Sequence, residues 1–191
     1  MITDRLELRR FDAGDVDNLV ALDGDTEVMR YLDGGTQTRA EVESSVLPGL
    51  LAYHDRYDDY GYWAAHTRSD RAFVGWFALY PVRPTDDAMV FWPETDDAAV
   101  LSLGYRLRRT AWGHGYATEG ARALVHRAFE ELGADEVVAT TMAVNTGSRR
   151  VLEKAGLRYV RTVHLRWDEP LAGNEYGEVE YRLSRDAYRK G

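Results

Sequence analysis

The chain has no cysteine among its 191 residues. Disulfides, a thiolate nucleophile and Cys-ligated zinc or iron–sulfur sites are therefore excluded. It has no apolar run of about 18 residues, so the sequence offers no transmembrane helix. Prolines number only five, and no low-complexity linker or internal repeat appears. Five histidines (His54, His66, His114, His126, His164) are scattered, none in a ligand spacing, so no metal is expected. Basic residues are outnumbered, 24 Lys and Arg against 32 Asp and Glu, which leaves a net charge of −8. A broad nucleic-acid face needs the opposite balance, whereas an acidic chain favours a cationic partner through steering. The opening "MITDRLELRRF" lacks the apolar core of a signal peptide, so a cytoplasmic location is expected.

What is present is a hydrophobic content of 45%, enough for a core. The length fits one domain, and residues 1–191 are read as such. "RLELRRF" (Arg5 to Phe11) alternates and reads as a strand. Val16, Leu19, Val20 and Leu22 have helical spacing, with Asp12 or Asp15 as N-cap. "TRAE" (Thr38 to Glu41) is a capping box before a second helix, in which Pro48 predicts a kink or break. "YGYWAAHT" and "RAFVGWFALYPV" read as a hairpin, with Trp63, Phe73, Trp76 and Phe77 as core or sheet-surface aromatics. Residues 83–97 are acidic and read as an extended loop.

"AVLSLGYRL" (Ala99 to Leu107) is a strong strand. Gly115 to Leu132 is the clearest helix, with Ala117, Ala121, Leu124, Val125, Ala128, Phe129 and Leu132 on one stripe. "DEVVATTMA" is a strand, and "NTGSRRVLEKAG" a short helix capped by Asn145 and ended by Gly156. Two more strands, "LRYVRTVHLRW" and "GEVEYRLSR", close the chain. The order β-α-α-β-β-β-α-β-α-β-β predicts an α/β (α+β) fold with a mixed, largely antiparallel seven-stranded sheet flanked by helices.

"RRTAWGHGYATEG" (Arg108 to Gly120) places Gly113 and Gly115 between the strong strand and the long helix. A strand, a Gly-x-Gly turn and a helix start gather unpaired N–H groups and the positive end of a helix dipole, a ready anion site. A glycine-relieved turn with no ligand is the plainer reading of that stretch alone. No third glycine makes a dinucleotide fingerprint, and no Gly-Lys-Ser/Thr makes a Walker loop. About 30 residues on, a second strand runs into a helix carrying Asn145 and Ser148 one turn apart. Two such units could hold the two ends of one long ligand.

"LGYRLRRTAWGHGYATEGARAL" followed by "NTGSRRVLEKAGLRYV" resembles the GNAT superfamily of acyl-CoA-dependent N-acyltransferases. It is most similar to the branch of ribosomal-protein N-terminal (alanine) acetyltransferases. The resemblance implies that the strand ending near Leu107 splays from the next parallel strand. It implies that main-chain groups of Tyr105 to Arg109, Leu107 included, pair with the pantetheine arm of acetyl-CoA. It implies that Trp112, Gly113, His114, Gly115, Tyr116 and Ala117 wrap the pyrophosphate, that Asn145 contacts the arm, and that Ser148 lies near the thioester sulfur. His114 is expected to turn its ring to solvent, and His66 to be structural.

The sequence departs from the family pattern at two places. Thr110 stands where the loop often begins with Arg or Gln, with Arg108 or Arg109 as the substitute charge. Leu152 stands where many relatives carry a tyrosine acid, which leaves Ser148 as the hydroxyl donor to the departing sulfur.

The implied reaction is direct attack of a primary amine on the acetyl thioester, without a covalent enzyme intermediate. A lysine amine has a reference pKa of about 10.4 and an α-amine about 8, so a proton must leave. Glu119, Glu178 and Glu94 are the candidate bases; Glu119 also suits the helix dipole, and Glu178 and Glu180 also read as exposed strand residues. Tyr53, His54, Tyr57, Phe91 and Trp92 lie where the resembled family builds its acceptor site. The acidic loop "WDEPLAGNEYGE" suits a cationic acceptor or plain solvation. Acceptors remain open between protein N-termini and small-molecule amines, and a homodimer is compatible. A catalytically silent acyl-CoA-binding module is the alternative. Acetylation of aminoacyl-tRNA is disfavoured by the charge.

Overall fold

Alternation in "LELRR" buries Leu6 and Leu8 on one side of β1 (Leu6–Arg10), which pairs antiparallel with β2 (Gly61–Thr67) in the register Leu6 to Thr67 and Leu8 to Ala65. The computed structural model describes residues 1–32, 35–83, 95–164 and 170–191. Five more strands follow: β3 (Phe73–Pro81), β4 (Val100–Leu107), β5 (Glu136–Met142), β6 (Arg158–Val163) and β7 (Glu178–Ser184). They form one seven-stranded sheet in the order β1-β2-β3-β4-β5-β7-β6. β4 and β5 run parallel, while β5 with β7 and β7 with β6 are antiparallel. This is the mixed, largely antiparallel sheet that the element order predicts.

The chain divides into two compact units, Met1–Ala78 with Gly104–Gly120, and Leu79–Leu103 with Ala121–Gly191. The first unit contains α1 (Val16–Asp23), α2 (Thr26–Met29), α3 (Arg39–Glu41) and α4 (Leu47–Arg56), with α4 packed on β2. Its core gathers Phe11, Leu19, Leu22, Val28, Val42, Leu47, Ala64 and Phe73. Thr38 and Glu41 form the expected capping box. Pro48 does not break the helix. A proline has no N–H to give, so residues Val42–Val46 make one wider π turn and Pro48 sits in the first turn of α4. Asp12 caps a 3-10 turn rather than α1, and Asp15 is buried against Arg9, at 2.7 Å.

In the second unit, α5 begins in the other unit at Tyr116 and runs to His126, then widens into a π turn at Arg127–Glu131. Ala121, Leu124, Val125, Ala128 and Phe129 of its predicted stripe are all buried. α6 (Thr146–Lys154) follows β5. The expected last strand, "GEVEYRLSR", is β7, after which Ser184 caps a short helix, α7 (Arg185–Tyr188), through the Ala187 N–H. Glu180, expected to be exposed, is 2% exposed between Arg161 and Arg182. The two guanidiniums explain its burial, since a lone carboxylate would stay in water. Residues 84–94 of the expected loop at 83–97 lie outside the described residues, with Phe91, Trp92 and Glu94 among them, as does the start of the acidic loop at 167–169.

Candidate active site

The loop after β4 lies wholly in the first unit. Arg108 N–H donates to the Val74 carbonyl at 2.9 Å. Successive strand residues aim their main-chain groups to opposite sides, so the N–H and carbonyl of Leu107 face away from β3. The Leu107 carbonyl already accepts the Trp112 indole N–H at 2.8 Å. That bond folds the half-exposed Trp112 back onto the strand end. The N–H of Leu107 is left to offer as a donor.

Gly113 and Gly115 have φ of +78° and +83°, the left-handed region that side chains avoid. Both glycines are thus required by the turn alone. A Cβ at Gly113 would meet nothing within 4 Å, so main chain is bare there. The N–H groups of Gly115, Tyr116 and Ala117 have no hydrogen-bond partner among the described residues, as expected at a helix start. Bare backbone, unpaired donors and the helix dipole fit a phosphate group. His114 is exposed, as expected, and its ring stacks on Tyr116 at 5.7 Å.

Glu119 is committed elsewhere. It accepts from the Thr3 hydroxyl at 2.6 Å, the Arg5 N–H at 2.7 Å and the Arg5 Nε at 2.7 Å. Burial alone would raise its pKa, but hydrogen bonds from Thr3 and Arg5 outweigh that and hold it below the usual carboxylate value. A carboxylate so held is a poor proton acceptor, and the geometry argues against the base role expected for it.

In the second unit, Asn145 ends the turn after β5 and caps α6. Its side-chain oxygen accepts the Ser148 N–H at 3.1 Å. Asn145 and Ser148 are both half-buried, one turn apart, as the spacing requires. Arg149 fixes this corner by donating to the Ala143 carbonyl and the Tyr181 hydroxyl, each at 3.1 Å. Tyr181 is fully buried and donates on to Glu153 at 2.9 Å. Sequence reasoning missed this brace; an arginine beside the cap was its only local sign. Glu178 sits opposite Met142, the last residue of β5, in the register of β7. The parallel pairing of β4 with β5 spans Val100–Ser102 and Glu136–Val138, although β4 continues to Leu107 and β5 to Met142.

Of the residues expected near the acceptor, Tyr53 and Tyr57 of α4 meet at 5.1 Å, and Tyr53 meets Tyr62 at 5.7 Å. His54 turns inward instead and bonds the Tyr62 carbonyl. Trp63, Phe73 and Phe77 are buried, as expected, and Trp76 is half-buried under Arg106. No group of metal-ligating side chains occurs among the described residues.

Residues 5–158 match the model of the acetyltransferase (GNAT) domain family. The chain belongs to the GNAT acetyltransferases. Over 186 residues it is 36% identical to the FsC-acetyl coenzyme A-N(2)-transacetylase of Aspergillus fumigatus, spanning 97% of this chain and 76% of that one. Its fold is that of RimL, a ribosomal-protein α-N-acetyltransferase solved with coenzyme A (TM-score 0.74, 18% identity, 98% of both chains). It is also that of the aminoglycoside acetyltransferase AAC(6')-Ib solved with coenzyme A (TM-score 0.72, 21% identity, 97% of this chain and 98% of that one). As a GNAT enzyme, the protein is an N-acetyltransferase that uses acetyl-CoA and acts on an amine. No helix among the described residues is long and apolar enough to cross a membrane.

Proposed function

We propose that residues 1–191 form a single acyltransferase domain whose acceptor is a primary amine, on a protein N-terminus or a small molecule. The relative of Aspergillus fumigatus, which by its name acetylates an N(2) position, supports a small-molecule acceptor. The observation that carries the reading is the loop Trp112–Ala117, with its two left-handed glycines and unpaired N–H groups at the start of α5. In this reading Gly113, His114, Gly115, Tyr116 and Ala117 bind the pyrophosphate of acetyl-CoA through their main chain, with Arg109 beside them. Tyr105 and Leu107 offer main-chain groups to the pantetheine arm, and the side-chain amide of Asn145 meets it.

The amine nitrogen attacks the thioester carbonyl carbon, the C–S bond breaks, and the sulfur leaves as thiolate. The Leu107 N–H polarises the carbonyl oxygen, and Ser148 gives a hydrogen bond to the departing sulfur. The thiol's reference pKa of about 8.5 makes that demand modest. The proton lost by the amine passes to Glu178, directly or through water. Holding both reactants in place supplies most of the acceleration.

The test is thermal unfolding with and without acetyl-CoA, beside Gly115→Val. At 100 times its dissociation constant, the ligand should add about 2.7 kcal/mol. A rise in the wild type that the variant loses supports the reading. No rise at millimolar acetyl-CoA would remove the phosphate loop from the proposal. Release of free thiol with an amine panel then separates the enzyme from a silent acyl-CoA-binding module.

A further inference from the structure

The segment just before β1 grips the loop after β4, more than a hundred residues away in the chain. The Arg5 guanidinium donates through Nε to Glu119 at 2.7 Å and through Nη1 to the His114 carbonyl at 2.8 Å. It also covers the Tyr116 ring, 4.9 Å from its centroid. Its Nη2 lies 3.3 Å from where a Cβ on Gly115 would stand. Arg5 thus holds the residues on either side of Gly115, His114 and Tyr116, with one rigid, planar group. The Thr3 hydroxyl and the Arg5 N–H share the other oxygen of Glu119, at 2.6 and 2.7 Å. Glu119 is 14% exposed, and its donors among the described residues all come from this one segment. Turn residues at positive φ have many alternative conformations open to them, so a loop of this kind needs an external brace to stay in one.

We propose that Arg5 and Thr3, acting through Glu119 and the His114 carbonyl, are positioning residues that hold the phosphate loop ready for the pyrophosphate of acetyl-CoA. This rests on the loop reading given above. The guanidinium engages the His114 carbonyl, and its charge offsets that of Glu119 beside an anion site. Freed from the clamp, the loop would have to be ordered by the ligand itself, and affinity would fall by that cost.

The experiment is calorimetric binding of coenzyme A to wild type, Arg5→Met, Arg5→Lys and Thr3→Val. Unfolding temperatures of the free proteins are measured alongside, and affinity for pantetheine, which has no pyrophosphate, is followed by ligand-detected NMR. Arg5→Met is expected to weaken coenzyme A about tenfold, the size of one lost hydrogen bond to a charged group. Arg5→Lys, which keeps the charge and loses the fork, should recover part of that loss, and Thr3→Val should fall between. Pantetheine affinity stays unchanged in all of them. Equal coenzyme A affinities in wild type and Arg5→Met would overturn the clamp while leaving the loop reading intact. An equal loss for pantetheine would overturn it too, as the effect would then be general. Failure of the wild type itself to bind coenzyme A would overturn the loop reading and the clamp's role with it.

Discussion

Gly120 faces the ring of Phe77 so closely that a Cβ on Gly120 would stand 2.2 Å from Phe77 Cζ. No real Cβ contact is that short, and Phe77 is fully buried, so neither the ring nor the helix can yield cheaply. Gly120→Ala should therefore destabilise the protein by about 1–3 kcal/mol, although alanine is the better helix former. Phe77→Leu in the Gly120→Ala background should recover part of the loss. Urea unfolding of the four proteins checks this, and a stabilised Gly120→Ala would refute the packing argument.

Asp23 and Arg106 form an ion pair at 2.6 Å, with Asp23 1% and Arg106 20% exposed. Arg106 also lies over Trp76, at 5.1 Å. Asp23→Ala leaves the guanidinium half-buried without its partner, at an expected cost of about 2–4 kcal/mol, below that of a fully buried pair. Arg106→Leu combined with Asp23→Ala should cost less than the two single changes together. A double-mutant cycle reads the coupling, and strict additivity would sink the claim.

His54 and His66 each hold a buried Nδ1 with no hydrogen-bond partner among the described residues. Burial is the largest cause lowering both pKa values below the usual 6.5. The unfolded chain then binds protons that the folded chain refuses. Stability is therefore complete above the unfolded pKa and falls as pH drops below about 6.5. Urea midpoints between pH 7.5 and 5.5 should decline, and His66→Gln should flatten the slope. A midpoint that rises on acidification would contradict the sign.

The two parts of the candidate site were legible to different depths. Gly113, Gly115 and Asn145 act through their own local backbone: left-handed φ and a helix cap are written in neighbouring residues. The brace from Thr3 and Arg5 to Glu119 joins distant segments, and Glu119 near a helix start had a sufficient local explanation in the dipole. The same limit hid Glu180. Alternation in "GEVEYRLSR" cannot say that Arg161 of the neighbouring strand and Arg182 close over its carboxylate. Pro48 was read by its usual effect, and only the π turn at Val42–Val46 shows how a helix accommodates it.

Ser148→Ala removes the hydroxyl proposed to meet the departing sulfur and leaves the N–H that Asn145 caps. The free protein should stay folded, and coenzyme A should bind as in wild type. Turnover at saturating acetyl-CoA should fall about 10–100-fold, at the low end of what one positioned proton donor supplies, because a thiolate leaves with little help. Thiol release measures it, and an unchanged maximal rate would take Ser148 out of the chemistry.

Asn145 has two tasks that one pair of variants separates. Its side-chain oxygen caps α6 by accepting the Ser148 N–H, and its amide NH2 is the group proposed to meet the pantetheine arm. Asn145→Ala loses both, at about 1 kcal/mol of stability for the cap together with weaker coenzyme A binding. Asn145→Asp keeps an oxygen for the cap and gains from the helix dipole, so the free protein should be as stable as wild type. It cannot donate a hydrogen bond, so coenzyme A affinity should still fall about tenfold. Thermal unfolding and calorimetry on both variants decide the matter. If Asn145→Asp binds coenzyme A as wild type does, Asn145 is a cap alone, and its place in the binding site falls.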